Sequence, residues 1–211
     1  MITIEVNKKT CAGDGKCVEV CPMHILKMNA ERVPEFVPGG GEACINCGHC
    51  FAFCPKGSIK LSTMDVKDAT RLDYAKLPNA EQLELLLKGR RSIRRYKDEP
   101  VNKETIEKLL DIARYAPSGI NRQPVSWAVL MGKDKVHELG GLMAEWTEEL
   151  LEAKNQMAIS FRFDRLLEAW KKGTDLICRD APCMVFAYGV KDDAMVPQSC
   201  IIAATYLELA A

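Results

Sequence analysis

Residues 44–55 have the sequence CINCGHCFAFCP, whose cysteine spacing is C-x2-C-x2-C-x3-C-P. Three thiolates this close together, at Cys44, Cys47 and Cys50, can hold three corners of a cubane iron–sulfur cluster. The fourth cysteine, Cys54, precedes a proline, and in proteins with two clusters a cysteine in this position ligates the other cluster. The stretch therefore predicts a small domain built around iron–sulfur clusters.

The same outline occurs earlier in the chain, with one cysteine replaced. Asp14 occupies the position of Cys47 when residues 11–22 are aligned with residues 44–55. The other positions keep their residue type, since Cys11 aligns with Cys44, Cys17 with Cys50, Cys21 with Cys54 and Pro22 with Pro55. The chain thus contains an internal repeat of two cluster motifs.

Zinc sites and disulfide bonds fit this cysteine array less well than clusters do. Structural zinc sites use four ligands, usually as two close pairs separated by a longer loop, and two Cys-Pro-terminated motifs do not divide in that way. A disulfide framework needs an oxidising compartment, whereas residues 1–6 lack the basic start and apolar run of a signal peptide. We therefore predict two iron–sulfur clusters in the reducing cytoplasm.

Residues 1–61 resemble a bacterial-type two-cluster ferredoxin. The resemblance implies that each motif gives its last cysteine to the other cluster. The first cluster is then held by Cys11, Cys17 and Cys54, with Asp14 as the candidate fourth ligand. The second cluster is held by Cys21, Cys44, Cys47 and Cys50.

Asp14 is the departure from the all-cysteine pattern. A carboxylate is a harder ligand than a thiolate and holds cluster iron less firmly, so we expect the first cluster to convert between four-iron and three-iron forms. The alternative is that Asp14 only completes a tight turn over residues 12–15, which Gly and Asp favour in any protein.

The composition does not favour nucleic acid or a membrane as a binding partner. Twenty-nine Lys and Arg balance 29 Asp and Glu, so no global field favours nucleic acid or a membrane surface as a partner. No apolar run approaches the ~20 residues of a membrane-spanning helix. Polar residues 62–80, which include Pro78, predict a linker, so the expected domains are residues 1–61 and 81–211.

Residues 81–211 predict helices that alternate with short buried strands, as in α+β or α/β folds. Capping patterns at Asn79 and Asn102 begin two helices, and Gly89 ends the first of them. We expect buried strands over residues 126–131 and 183–190. A long helical region over about 133–172, broken near 157–160, and a final helix from about residue 198 complete the pattern.

Two polar motifs in this half contain candidate binding residues. Residues 90–96 have the sequence RRSIRRY, and guanidinium groups bind phosphate oxygens in pairs. Residues 117–124 have the sequence PSGINRQP, a rigid loop that offers short polar side chains. Each motif alone is also typical of an ordinary basic turn or surface loop.

In this order, with a helix between them and a strand after them, the motifs resemble those of the nitroreductase family of flavin enzymes. The resemblance implies a nitroreductase-like α/β domain that binds FMN, in a homodimer with flavin at the subunit interface. The fold class expected for the chain is therefore α+β, a small two-cluster ferredoxin-like domain followed by this flavin domain. Family members continue beyond the helix that ends near Ala211, so we expect this sequence to be incomplete at its C-terminus.

The resemblance also implies roles for individual residues. Arg90 and Ser92 contact the FMN phosphate and ribityl chain, and Arg94 approaches the pyrimidine side of the ring. Ser118 and Asn121 contact the isoalloxazine. The remaining candidates are Arg91, Pro117 and Gln123, the last of which positions the loop.

These expectations combine into one function. Iron–sulfur clusters carry single electrons, whereas flavin stores two and delivers them as a hydride. We therefore expect a cytoplasmic flavin-dependent oxidoreductase, in which a low-potential donor reduces the clusters and FMN reduces a small nitroaromatic- or quinone-like acceptor. Two alternatives stay open: a non-catalytic iron–sulfur electron carrier and a flavin-based redox sensor.

Overall fold

The computed structural model describes all residues from Met1 to Ala211. They form two compact units, residues 1–83 with 119–122 and residues 84–118 with 123–211. The segment expected to be a linker, residues 62–80, belongs to the first unit and contains short 3-10 turns at Val66–Asp68 and Tyr74–Lys76. No helix has both the length and the apolar character needed to cross a membrane.

The first unit consists of short strands and one-turn helices around the cysteine loops. Strand β1 (Ile4–Val6) pairs antiparallel with β4 (Ile59–Leu61), and β2 (Leu26–Met28) pairs antiparallel with β3 (Pro34–Phe36). The one-turn helices are α1 (Lys16–Glu19), α2 (Gly40–Ala43) and α3 (His49–Ala52).

The internal repeat of the sequence is also a repeat of the backbone. Helices α1 and α3 each begin directly after a glycine with positive φ, Gly15 at 75° and Gly48 at 71°. This conformation suits glycine because a Cβ atom makes it strained. The two glycines occupy equivalent positions in the aligned motifs. The helix cysteines, Cys17 and Cys50, therefore follow the same local backbone conformation in both motifs.

The core of the first unit includes the ligand candidates themselves. Cys17 is buried with Ile59 and Leu61, and Cys21 is buried with Ile25 and Leu26. Such a small unit has little apolar surface to bury. We infer that the thiols and any bound cluster are part of what holds it together.

The second unit contains one antiparallel strand pair and the longer helices. Strand β5 (Ser126–Met131) pairs with β6 (Cys183–Tyr188) along its whole length. The helices after residue 79 are α4 (Ala80–Gly89), α5 (Lys103–Ala113), α6 (Lys133–Glu152), α7 (Gln156–Ser160), α8 (Phe163–Lys171) and α9 (Val196–Ala210). Helix α5 packs against α9, and α6 packs against α8.

The predicted helix starts are confirmed by their capping bonds. At α4, the Asn79 amide donates to Gln82 Oε1 at 3.0 Å and the Gln82 amide donates to Asn79 Oδ1 at 2.9 Å, which is a complete capping box. At α5, Asn102 Oδ1 accepts the amide of Thr105 at 2.7 Å.

The break predicted near residues 157–160 is confirmed, although it is displaced, because those residues themselves form α7. The helical region is instead interrupted on both sides of α7. Asn155 Oδ1 accepts the amides of Met157 and Ala158, so it starts a new helix. Arg162, at φ 57°, then separates α7 from α8.

Candidate cluster and flavin sites

The first cavity of interest lies between the two cysteine motifs. Cys11 and Cys17 come from the first motif and Cys54 comes from the second, and all three line the same cavity. Asp14 lies in the wall of this cavity as well. The structure therefore brings together the four side chains that the ferredoxin resemblance assigns to the first cluster.

The second cavity contains the other four sulfur atoms. It is lined by Cys44, Cys47 and Cys50 of the second motif, together with Cys21 of the first. Each motif thus gives its final cysteine to the cavity of the other. No three His, Cys, Asp or Glu side chains converge closely enough to hold one metal ion; the cysteines surround two cavities instead.

The placement of Cys54 depends on the turn that follows α3. The backbone amide of Ser58 donates to Cys54 Sγ at 3.2 Å. Ser58 is itself buried, and its hydroxyl lies 2.9 Å from Thr10 Oγ1 beside the first motif. The turn therefore fixes the direction of the Cys54 sulfur, and hydrogen bonds of this kind help to set the reduction potential of a cluster when the sulfur is a ligand.

The thiol pKa values of Cys50 and Cys17 are raised, and the neighbouring side chains that contribute line the same cavity as each. Burial, with smaller contributions from the charges of Cys21, Cys44 and Cys47, raises the pKa of the Cys50 thiol to about 11. Burial likewise raises the pKa of Cys17, with smaller contributions from Cys54 and Asp14. Thiols with raised pKa values are protonated near neutrality, so iron binding must displace their protons. Soft sulfur donors in these numbers fit iron–sulfur clusters.

Asp14 has a local structural role in addition to its place in the cavity wall. Its Oδ1 accepts the amide of Lys16 at 3.2 Å, and its Oδ2 lies 3.9 Å from Lys16 Nζ. The preceding residue, Gly13, has φ 61°, and its carbonyl accepts Arg32 Nη2 at 2.9 Å. The turn therefore has hydrogen bonds of its own that do not depend on a ligand role for Asp14, and ligation by Asp14 stays a prediction.

Substitutions of Asp14 separate the two roles. Asp14→Cys supplies a thiolate, so we expect conversion to the three-iron form on mild oxidation to slow about tenfold, which is ~1.4 kcal/mol in the activation free energy. Asp14→Asn keeps an oxygen acceptor for the turn but removes the carboxylate, and should accelerate the conversion. EPR of the oxidised protein measures it. Identical conversion in Asp14→Asn and the parent protein would show that Asp14 is not a ligand.

A third cavity lies in the second unit, between α5, β5 and α9. Three of the residues expected at the flavin, Pro117, Ser118 and Gln123, line it. Ser118 Oγ accepts the amide of Gln123 at 2.9 Å, which closes the loop on itself. Further lining residues that the sequence motifs did not indicate are Arg114, Trp127 and the buried Ser199.

The arginine motif does not line this cavity within one chain. Residues 90–96 are exposed and without regular structure. Arg90 forms an ion pair with Glu208 at 2.5 Å. Arg91 donates to the carbonyl oxygens of Lys88 and Arg90 at 2.7 and 2.8 Å, and Arg94 is 3.5 Å from the Ser92 carbonyl. Arg91 and Arg94 bond only to nearby carbonyl oxygens, and Arg90 only to an exposed carboxylate, so all three guanidinium groups remain accessible to an anionic ligand.

Asn121 is placed differently from the other loop residues. Residues 119–122 belong to the first unit, and Asn121 Nδ2 donates to the carbonyl oxygens of Ile45 and Asn46 at 3.0 and 2.9 Å. Asn121 therefore contacts the loop between two cluster cysteines and does not line the third cavity. No local signal in the sequence indicates this contact, because the partners are 75 and 76 residues apart.

Two cavities lined by cysteine thiols in one unit, and a mostly apolar cavity with a few polar groups in the other, are the features that the class of protein must account for. Residues 87–211 match the family described as "Nitroreductase family", and residues 3–55 match the "4Fe-4S dicluster domain". The chain belongs to the nitroreductase family and carries a 4Fe–4S dicluster domain. The fold class and the iron–sulfur domain are thereby confirmed.

Curated relatives match parts of the chain. A 4-nitrobenzoate reductase from Nocardioides is 41% identical over 59 residues, covering 28% of this chain and 24% of the relative. An iodotyrosine deiodinase from Danio rerio is 33% identical over 98 residues, covering 46% of this chain and 32% of the relative. The matched region is thus about a quarter to a third of each relative. The ketoisovalerate oxidoreductase subunit VorC of Methanothermobacter marburgensis is 33% identical over 54 residues, covering 24% of this chain and 68% of that subunit.

Solved structures resemble the chain more distantly. A nitroreductase with bound FMN from Bacteroides fragilis is 19% identical, with a TM-score of 0.46, and the match covers 60% of this chain and 62% of that one. A BluB-like flavoprotein from Clostridium difficile is 20% identical, with a TM-score of 0.48, and the match covers 61% of this chain and 68% of that one.

Proposed function

We propose that this chain is a reductase in which electrons from a low-potential donor pass through two clusters to FMN and then to a small organic acceptor. The observation that carries the proposal is the pairing, in one chain, of two cavities with cluster-type donors and a nitroreductase-type binding loop. FMN supplies the conversion between single-electron and two-electron chemistry.

The third cavity suits a flat, weakly polar acceptor or ring. Its wall is mostly apolar, with Leu110, Val125 and Trp127, and its polar groups are hydroxyl, amide and guanidinium groups without a carboxylate or histidine. Two electrons and two protons convert a quinone to a quinol, or a nitro group to a nitroso group and water. Since no lining residue is a suitable acid, we propose that the protons come from water. The name of the 4-nitrobenzoate reductase relative supports a nitroaromatic acceptor.

We propose that the arginine motif binds the FMN phosphate. Arg90 would need to exchange Glu208 for phosphate, and that exchange is inexpensive because both partners are about half exposed and such pairs contribute about 1 kcal/mol or less. Since Arg90 and Arg94 do not line the third cavity of their own chain, we further propose a homodimer in which a second copy completes the site.

We propose a cytoplasmic location for the protein. All ten cysteines are free thiols, including Cys178, Cys183 and Cys200 outside the cluster motifs. Free thiols and cluster ligands both persist best where glutathione and thioredoxin keep cysteine reduced.

The test is flavin content combined with turnover of the anaerobically purified protein. We expect about one FMN per chain, and oxidation of a reduced low-potential ferredoxin that depends on both the protein and an added quinone or nitroaromatic. Bound flavin without turnover on any such acceptor would overturn the proposal in favour of a redox sensor. Intact clusters without flavin would overturn it in favour of an electron carrier.

A further inference from the structure

The side-chain amide of Asn121 bridges two consecutive peptide groups of a cluster loop. Its Nδ2 donates to the carbonyl oxygens of Ile45 and Asn46, and both lie between Cys44 and Cys47. Those cysteines line the second cavity, whereas Asn121 is outside both cysteine motifs. One side chain thus restrains the whole span between two ligands.

The backbone around Asn121 has a costly conformation. Ile120 has φ 45° and Asn121 has φ 55°, and a β-branched residue in the left-handed region is a rare outlier. Such strain persists only where surrounding contacts fix it. Here the Arg122 amide donates to the Gly119 carbonyl at 3.1 Å, which closes a turn that presents Asn121.

The cluster loop is restrained from a second side as well. Asn46 has φ 53°, and its Oδ1 accepts the Thr63 hydroxyl at 2.5 Å. Thr63 therefore holds the side chain of Asn46, while Asn121 holds its carbonyl. Only the second contact acts on the peptide groups themselves.

A hydrogen bond at a carbonyl oxygen polarises its peptide group and makes the attached N–H a stronger donor. The two peptide groups that Asn121 contacts carry the N–H groups of Asn46 and Cys47. Stronger donors next to cluster sulfur stabilise the more negative, reduced cluster and raise its reduction potential. The contact therefore has a consequence for redox chemistry and not only for folding.

We propose that Asn121 is a positioning residue for the second cluster, which fixes the Cys44–Cys47 loop and raises the potential of that cluster above the value it has without this contact. The proposal rests on the assignment of the second cluster to the second cavity, and it does not need flavin or an acceptor.

A redox titration of the cluster-loaded protein, monitored by EPR, tests this role. In Asn121→Ala we expect the equilibrium constant for reduction of the second cluster to fall about tenfold, which is about 59 mV for a one-electron couple. The first cluster should keep its potential. Asn121→Asp keeps the size of the side chain, removes its donors and adds a negative charge, so it should shift the second cluster in the same direction and further. It replaces Asn121→Ala in the experiment if the alanine variant does not fold.

Two further variants are the controls. Asn155→Ala removes an asparagine that caps α7 and should leave both clusters unchanged. Thr63→Val loosens the side chain of Asn46 without touching its carbonyl, and should move the potential much less than Asn121→Asp. An unchanged second cluster in Asn121→Asp, or an equal shift of both clusters, would overturn the inference. Because the readout is a cluster potential, a failure of the reductase proposal does not affect it.

Discussion

Replacing Cys21 with alanine removes the second cluster and leaves the first in place, although Cys21 belongs to the first sequence motif. The reason is the exchange of final cysteines, since Cys21 lines the cavity of Cys44, Cys47 and Cys50. Iron content should fall from about eight to about four per chain, and EPR of the reduced protein should retain only the signal of the first cluster.

The reciprocal variant and a neutral one are the controls for this result. Cys54→Ala should remove the first cluster and keep the second, because Cys54 lines the cavity of Cys11 and Cys17. Cys200→Ala replaces a free thiol on α9 and should keep both clusters. Cys21 is buried, so Cys21→Ser replaces Cys21→Ala in the same measurements if the alanine variant is unstable. Loss of the first cluster in the Cys21 variants would contradict the exchanged ligand sets.

Arg90→Ala lowers the affinity for FMN about 10- to 100-fold. A charge-assisted hydrogen bond contributes about 1.5–3 kcal/mol, and a guanidinium group can make two such bonds to one phosphate. The dissociation constant is measured by fluorescence quenching on adding FMN to the flavin-free protein.

Glu208→Gln is the matched control, because it releases Arg90 from the carboxylate that it contacts in the structure. FMN affinity should then stay the same or rise, by no more than the fivefold that about 1 kcal/mol allows. A loss of affinity in Glu208→Gln as large as that in Arg90→Ala would show that the ion pair matters as a structural contact and that Arg90 does not bind phosphate.

The features that the sequence predicted are those encoded by short-range spacing. The spacing of Cys44, Cys47 and Cys50 predicts an iron–sulfur cluster as the cofactor, because all three sulfur atoms must reach the same cluster. The caps at Asn79 and Asn102 were predictable because both partners lie within three residues. The strand β5 was predictable from the apolar run over residues 127–131, although none of its residues is fully buried as the run had predicted.

The features that the sequence did not predict depend on contacts between distant residues or on the backbone at single positions. The Asn121 contact spans 75 residues and the pair of Arg90 with Glu208 spans 118. The motifs do not indicate either contact, because a motif reports residue type and order but not which neighbour a side chain reaches; the flavin roles of Asn121 and Arg90 stay predictions. The break between α7 and α8 depends on the left-handed conformation of Arg162, which no residue pattern indicates.

The central claim, that electrons reach FMN through the clusters, is tested most directly by rapid anaerobic mixing of the FMN-loaded protein with a reduced low-potential ferredoxin. We predict that cluster absorbance bleaches before the flavin does, and that flavin reduction slows by at least about tenfold in the Cys21→Ala variant while its FMN content is unchanged. Flavin that is reduced before the clusters, at the same rate with and without the second cluster, would contradict the claim.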